Sequence, residues 1–169
     1  MGMKTGIFYG STLGTTEAIA AQIGEKLGIS AGDIHNVADT DISKVRDYDC
    51  LILGTSTWGS GELQDDWYGF ADKLKAENLS GKTVALFGCG DSAGYSDTFC
   101  DAIGVLHDDL AATGCRFVGS CDPSEYTFDS SAAVQEGKFV GLPIDENNEG
   151  NLTADRIERW TTRLKTELS

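Results

Sequence analysis

Three runs of apolar residues predict buried strands. Residues 3–9, 49–55 and 83–89 each carry consecutive apolar side chains, and the last two read DCLILGT and TVALFGC. Continuous apolar runs of this length are typical of parallel strands that are covered on both faces. Weaker patterns predict three further strands, over residues 33–37, 115–119 and 138–142.

Four segments show the apolar periodicity of amphipathic helices, beginning with residues 14–27. Thr98, three residues before Asp101, is predicted to cap the third helix, and Thr153 is predicted to cap the fourth. The four predicted apolar faces consist of Ile19, Ile23 and Leu27; of Trp67, Phe70, Ala71 and Leu74; of Phe99, Ile103, Leu106 and Leu110; and of Ile157, Trp160, Leu164 and Leu168.

The alternation of strand and helix patterns predicts an α/β protein, with a mainly parallel sheet and helices on both faces. A polar stretch of roughly 18 residues between the last two predicted strands is long for an unstructured loop, so we interpret it as an inserted subdomain. Ligands of such proteins bind beyond the carboxyl ends of the strands. Functional residues are therefore expected in three loops, over 10–16, 55–62 and 89–99.

The net charge narrows the choice of partners. The chain has 169 residues and a formal net charge of −14 at pH 7. An acidic protein repels nucleic acid backbones and anionic lipids, so neither nucleic acid nor membrane is expected as a partner. The charge favours proteins with basic docking surfaces, although acidity that serves only solubility is the alternative.

The cysteines and the N-terminal residues indicate the compartment. The five cysteines form no CxxC pair and no zinc-like spacing, so we expect reduced, mostly buried thiols rather than metal ligands. The N-terminal residues lack the pattern of a signal peptide, and no apolar run reaches the roughly 20 residues that span a bilayer. We expect a cytoplasmic, monomeric protein.

The first loop, residues 10–16, has the composition of a phosphate-binding turn. Its glycines and hydroxyl residues precede a predicted helix, whose first amides and partial positive charge favour an anion. The loop has no Lys or Arg, which favours a monophosphate over a triphosphate with magnesium. An ordinary turn with a helix cap is the alternative. The candidate ligands are Ser11, Thr12, Leu13, Gly14, Thr15 and Thr16.

The other two loops each present an aromatic residue beside glycines. Trp58 lies in the run TSTWGSG at 55–61, where a large ring favours stacking on a planar heteroaromatic ligand. Gly59 and Gly61 allow close approach of the backbone and positive φ angles. Tyr95 in the third loop is placed to cover the opposite face of the same ligand. For each aromatic residue, burial within the protein is the alternative.

Together these segments resemble the flavodoxin family, specifically its long-chain branch. The segments that are similar to the family's motifs in order and spacing are GSTLGTTE (10–17), TSTWGSGELQDDW (55–67), GCGDSAGYSDTFCDAIG (88–104) and the stretch 137–160. The resemblance implies one domain over residues 1–169, a three-layer, doubly wound α/β sandwich whose five-stranded parallel sheet has the order 2-1-3-4-5. It also implies that the stretch at about 120–137 is an insertion that splits strand five.

The resemblance implies a non-covalently bound FMN at the carboxyl edge of the sheet. The residues from Ser11 to Thr16 would hold its phosphate, and Trp58 and Tyr95 would flank its isoalloxazine ring. The residues implied to lie near the ribityl chain or the ring are Asp97 and either Asp145 or Glu146. The remaining residues implied to contact the cofactor are Thr55, Ser56, Thr57, Gly59, Ser60, Gly61, Cys89, Gly90, Asp91, Phe99 and Cys100.

Two positions depart from the family pattern. Leu13 stands where Thr is usual, which removes one hydroxyl contact with the phosphate unless Thr12 or a backbone N–H replaces it. Ser56 stands where Pro is usual before Thr-Trp, which loosens the backbone of that loop. Both departures bear on the affinity for FMN and leave the family resemblance unchanged.

The resemblance implies an electron carrier rather than an enzyme, cycling mainly between flavin semiquinone and hydroquinone, with a reductase as donor and a low-potential protein as acceptor. Glu62, Asp65, Asp66 and Asp91 would oppose the negative charge gained on reduction and so lower the potential. A peptide flip at Gly59 would stabilise the neutral semiquinone.

Two other functions share the predicted fold. An FMN-dependent NAD(P)H:quinone oxidoreductase is the main alternative, and it would need an open face of the flavin where Trp58 and Tyr95 are expected. A signalling receiver domain would need an acidic cluster after strand one, whereas this chain has Gly-Ser-Thr at 10–12.

Overall fold

The computed structural model describes residues 4–11, 14–58 and 61–168, and of Trp58 it describes the backbone alone. The sheet in this part of the chain contains the parallel strands β1 (Thr5–Gly10), β2 (Ile34–Asn36), β3 (Cys50–Trp58), β5 (Thr83–Cys89), β6 (Arg116–Val118) and β9 (Leu142–Ile144), and the short antiparallel β4 (Glu62–Leu63). A separate hairpin consists of β7 (Val134–Gln135) and β8 (Lys138–Phe139).

The order of the parallel strands is β2–β1–β3–β5, and two short strands share the fifth position. β6 pairs with the first half of β5, over Thr83–Ala85, and β9 pairs with its second half, over Phe87–Cys89. The predicted order 2-1-3-4-5 is confirmed. The residues between these two short strands, 119–141, are called the connecting segment below.

In the described part of the chain, five helices accompany the sheet: α1 (Thr15–Leu27), α2 (Asp65–Leu74), α3 (Asp101–Leu110), α4 (Glu146–Glu149) and α5 (Thr153–Glu167). α1 packs against α5 on one face of the sheet, and α2 packs against α3 on the other. Both faces of the central strand β5 are therefore covered, and its side chains from Val84 to Phe87 have no exposed surface. Each large apolar side chain buried in this way contributes about 1.5–3 kcal/mol. The predicted three-layer α/β architecture is confirmed.

Among the described helices, none has both the length and the apolar character needed to cross a bilayer.

The five cysteines are free thiols, as their spacing predicts, and all except Cys115 are buried. Burial raises the pKa of Cys50 and Cys121 to about 11 and that of Cys89 to about 12. The thiols are therefore protonated at neutral pH.

Two helix starts differ from the prediction. Thr98 does not cap α3, because it ends a short 3₁₀ turn and α3 begins only after Cys100, whose φ is +53°. The amide of Ala102 in the first turn of α3 donates to Thr57 Oγ1, 3.3 Å away, so a distant loop supplies the acceptor. Thr153 does not cap α5 but is its first residue, because the preceding 3₁₀ turn runs directly into this helix. The hydroxyl of Thr153 is buried and has no hydrogen-bond partner among the described residues.

The strand predicted over 138–142 is wrong in its position. Phe139 bonds to Cys121 through both its N–H and its C=O, at 2.9 Å each, and belongs to the hairpin rather than to the sheet. The strand that joins the sheet is β9, which begins at Leu142. Pro143 is tolerated there because β9 lies at the edge of the sheet. An apolar run alone does not distinguish these two neighbouring strands.

Two carboxylates fasten the loop after β5 to α4. Asp145 is fully buried, and it accepts hydrogen bonds from the amide and hydroxyl of Ser92 and from the amide of Asn148. Asp91 Oδ1 accepts from the amide of Gly94 and from the side chain of Asn148, both at 2.8 Å. The hydrogen bond from the Gly94 amide contributes most to holding the pKa of Asp91 below its ordinary value, and the hydrogen bond from the Asn148 side chain contributes next. The side chains of Asp91 and Asp145 therefore determine the shape of this loop.

We expect Asp91→Asn to lower the free energy of unfolding of the apoprotein by about 1 to 2 kcal/mol at neutral pH, because an amide oxygen is a weaker acceptor than a carboxylate. Folding lowers the pKa of Asp91, so its carboxylate stabilises the protein above the pKa of the unfolded chain. That contribution is lost as the pH falls through the pKa of the folded state. The difference between the two proteins should therefore shrink below about pH 4 in urea unfolding experiments.

Asp97→Asn is the matched control. The side chain of Asp97 is exposed and makes no hydrogen bond to any described residue. An equal loss of stability in this control, or a difference for Asp91→Asn that stays constant into acid, would contradict the role given to Asp91.

Candidate functional site

The carboxyl ends of the central strands lie level at one edge of the sheet. Gly10 at the end of β1 pairs with Thr55 in β3, and Ser56 pairs with Cys89 at the end of β5. Because these strands are parallel, the loops that follow them leave from the same edge. The three loops expected from the sequence therefore come together there, beside the N-termini of α1 and α3.

The first loop ends at a helix start whose N-cap residue is a glycine and therefore supplies no side-chain cap. Gly14 is the N-cap residue of α1, with a φ of +90°, and its amide donates to Ser11 Oγ at 3.0 Å. The amides of Thr15, Thr16 and Glu17 have no acceptor among the described residues. Such amides carry the partial positive charge of a helix N-terminus. This arrangement can hold an anion.

The hydroxyl groups of the first loop differ in their availability. Thr16 is buried, and its hydroxyl donates to Cys89 Sγ at 3.7 Å, which connects the first loop to the third. Ser11 Oγ already accepts from Gly14. The side chain of Thr15 is exposed and bonds to no described residue. The hydroxyl of Thr15 is therefore free to bind a ligand, and that of Ser11 can still donate its hydrogen to one.

Several predicted site residues lie outside the part that the structure describes. They are Thr12, Leu13, Gly59, Ser60 and the side chain of Trp58. The predicted stacking of Trp58, the peptide flip at Gly59 and the effect of Leu13 on phosphate contacts therefore stay predictions.

The second loop is fixed where it begins and where it ends. Thr55 is buried, and its Oγ1 accepts from the amide of Gln64 at 3.2 Å. The backbone of Trp58 pairs antiparallel with Glu62, so the chain folds back after β3. Gly61 is buried and has a φ of +97°, which agrees with the conformation predicted for it. Ser56 in this loop is half-buried.

The third loop combines close backbone packing with an exposed ring. The amide of Gly90 donates to Ile144 O at 2.9 Å, and a methyl group on Gly90 would come within 2.8 Å of Cys100 Sγ, so this position requires glycine. Tyr95 is 53% exposed, and its amide donates to Asp91 O at 2.9 Å. An aromatic ring this exposed on a hydrogen-bonded loop is available to stack on a ligand.

Two predicted site residues turn their side chains into the core. Phe99 has no exposed surface and packs in an aromatic cluster with Tyr126, Phe128 and Phe139. Cys100 is also fully buried. A ligand at this edge could reach either residue only through its backbone. Two other predicted residues, Asp97 and Glu146, are exposed.

No sequence pattern indicates the residues that support the third loop. The amides of Asp129 and Ser130 in the connecting segment both donate to Ser96 O, at 3.0 Å. The amide of Ala132 donates to Asp101 Oδ1 at 2.6 Å. These contacts join residues more than 30 positions apart, and no local pattern indicates them.

The site combines the partial positive charge at the start of α1 with acidic side chains around it. The three loops contain no Lys or Arg, so the amides at the start of α1 are the positive end. Glu62, Asp65 and Asp66 are exposed beside the second loop. In the described part of the chain, no group of His, Cys, Asp and Glu is arranged to hold a metal ion. The geometry suits a ligand with an anionic tail and a flat, uncharged ring.

Known proteins are similar to this chain over almost its whole length. A flavodoxin from a Nostoc species is 42% identical over 167 residues, which cover 99% of this chain and 98% of the relative. Flavodoxin 1 of Azotobacter vinelandii is 44% identical over 168 residues, which cover 97% of each chain.

Solved structures agree with these relatives. The crystal structure of Fusobacterium nucleatum flavodoxin bound to flavin mononucleotide matches with a TM-score of 0.90 at 32% identity, covering 99% of each chain. Oxidised flavodoxin 2 from Bacillus cereus matches with a TM-score of 0.73 at 29% identity, covering 97% of this chain and 99% of that chain. The sequence profile described as Flavodoxin matches residues 7–160, and the chain belongs to the flavodoxin family.

Proposed function

We propose that this protein binds one FMN non-covalently and carries single electrons between redox proteins. The observation that carries the proposal is the uncapped start of α1 at the same sheet edge as the exposed ring of Tyr95. A mononucleotide has a phosphate for the first feature and a flat ring for the second. The flavodoxin of Fusobacterium nucleatum, which shares this fold, is bound to flavin mononucleotide in its crystal structure.

The residues present fit FMN at both ends. The phosphate would accept hydrogen bonds from the amides of Thr15, Thr16 and Glu17 and from the hydroxyl of Thr15, while Tyr95 and Trp58 would flank the isoalloxazine ring. FMN, when bound, supplies the one-electron chemistry. The protein's part is to orient the nucleotide, to keep water from the covered faces of the ring and to set the local electrostatic potential.

The acidic surround supports a low reduction potential. Reduction of a flavin adds negative charge, and the nearby carboxylates of Glu62, Asp65 and Asp66 oppose it. Asp91, which the sequence also suggests for this role, has its carboxylate engaged by the donors of its own loop and of α4. These hydrogen bonds leave the negative charge of Asp91 in place, so Asp91 opposes reduction as well, but its side chain also shapes its loop. The three exposed acids therefore give the cleaner test of the electrostatic effect.

The net charge of −14 supports partners with basic docking surfaces, namely a reductase as donor and a low-potential protein as acceptor. We propose further that the protein is a cytoplasmic monomer.

We also propose that it is a single domain whose fifth strand is split by an insertion at about 120–137, since β6 and β9 both pair with β5.

Thr15→Ala tests the phosphate site. The variant should bind FMN about tenfold more weakly, because a hydrogen bond to a charged group is lost. It should bind riboflavin, which has no phosphate, with unchanged affinity. Titration of the apoprotein with each flavin, followed by fluorescence, measures both. Equal weakening for the two flavins, or no binding of FMN by the native protein, would contradict the proposed phosphate site.

Neutralising the exposed acids tests the electrostatic argument. The triple variant Glu62→Gln, Asp65→Asn, Asp66→Asn should raise the more negative one-electron potential by roughly 10 to 40 mV for each acid neutralised, since each exposed charge pair interacts by about 0.2–1 kcal/mol. The matched control neutralises three exposed acids near the C-terminal ends of α1, α3 and α5, namely Glu25, Asp108 and Glu167. Potentials that shift equally in both triple variants would show a general charge effect instead.

The alternative function is an NAD(P)H:quinone oxidoreductase. An electron carrier should not turn over NAD(P)H and a quinone by itself, and it should reduce an acceptor such as cytochrome c only when a flavoprotein reductase is added. Absorbance assays with and without the reductase measure this. Sustained turnover without the reductase would favour the enzyme.

A further inference from the structure

Both ends of the second loop rest on the first turn of α3. Near its start, Thr57 Oγ1 accepts from the amide of Ala102 at 3.3 Å. Near its end, a methyl group on Gly61 would come within 2.6 Å of Asp101 Oδ2 and 2.8 Å of Asp101 Cβ, so the side chain of Asp101 lies against the backbone of Gly61. Two consecutive residues of α3 therefore hold the loop from either side.

Asp101 is itself held from outside its helix. Its Oδ1 accepts from the amide of Ala132 in the connecting segment at 2.6 Å. An acidic residue in the first turn of a helix is usually solvated and acts through the helix dipole. Here the side chain is partly buried between Gly61 and Ala132, and burial raises its pKa. These contacts indicate a role in tertiary packing as well as in the dipole.

The same stretch of the connecting segment also holds the third loop. Ser130 Oγ donates to Asp97 O at 2.6 Å, and the hydroxyl of Ser131 donates to Phe99 O. The loop that carries Tyr95 is thus fixed directly by this stretch, and the loop that ends at Gly61 is fixed through Asp101. The two loops proposed to flank the flavin ring share one support.

We infer that Asp101 is a positioning residue for the flavin ring: its carboxylate, held by the amide of Ala132, sets the place of Gly61 and thereby the distance of the second loop from the ring. The inference rests on the proposed function. It assigns the effect of Asp101 to the position of its side chain rather than to its charge.

Two substitutions separate position from charge. Asp101→Asn removes the charge but keeps the length of the side chain and an oxygen that can accept from Ala132. Asp101→Glu keeps the charge but moves the carboxylate by one methylene, toward Gly61. Asp108→Asn, near the other end of the same helix, is the control, because its side chain is exposed and accepts from Gln135 Nε2 of the connecting segment at 3.0 Å, far from the second loop along the helix.

We expect Asp101→Glu to weaken the binding of riboflavin and of FMN by the same factor, about tenfold, which is the size of a lost polar contact. Asp101→Asn should stay within about threefold of the native affinity. Riboflavin is the sharper probe, because its oxidised ring is neutral and carries no phosphate. In Asp101→Glu the separation between the two one-electron potentials should also change, because the ring's polar edge alters its hydrogen bonding on reduction.

The outcomes distinguish three accounts. If Asp101→Asn is the weaker binder and Asp101→Glu is native-like, charge is responsible and the inference is wrong. If neither variant differs from the Asp108 control, Asp101 has no positioning role, and the inference is again wrong. Failure of the native protein to bind either flavin would overturn the proposed function first. Urea unfolding of each apoprotein checks folding. Should Asp101→Glu not fold, Asp101→Ala, which leaves Gly61 uncovered, takes its place with the same expected weakening.

Discussion

The parallel register of β1, β3 and β5 is the constraint on which the site depends. Gly10 opposite Thr55 and Ser56 opposite Cys89 bring the strand ends level. A slip of one residue would turn every side chain of a strand to the other face of the sheet. Both faces are packed against helices, so burial of the apolar side chains holds the register. The core thereby brings three separate loops to one edge.

Polar contacts then determine the shapes of these loops. Asp145 is fully buried, and burying a carboxylate is costly unless it is well hydrogen-bonded, as the donors from Ser92 and Asn148 provide here. The connecting segment contributes in the same way, through amides and hydroxyls that bond to the backbone of the third loop. The apolar core and the polar loop contacts thus have separate tasks. The first places the site, and the second gives it its form.

This division explains what the sequence could predict. Runs such as 83–89 reflect burial on both faces, which is a local property of the sequence, so the central strands and the three loops could be predicted from it. The strand order comes from the family resemblance, and the last strand, predicted over 138–142, is wrong in its position. The start of α3 could not, because Thr57, 45 positions before Ala102, supplies its acceptor. The contact of Gly61 with Asp101 likewise exists only once the chain has folded. The individual roles of the cofactor-binding residues, including Thr12, stay predictions.

The uncapped start of α1 has a consequence for the empty protein. The amides of Thr15, Thr16 and Glu17 bond to no described residue, so they are open to an anion from the surrounding solution. An inorganic anion that settles there binds only the folded form, and any such ligand shifts the folding equilibrium toward that form. The free energy of unfolding of the apoprotein therefore depends on the anions in its buffer as well as on its amino acids.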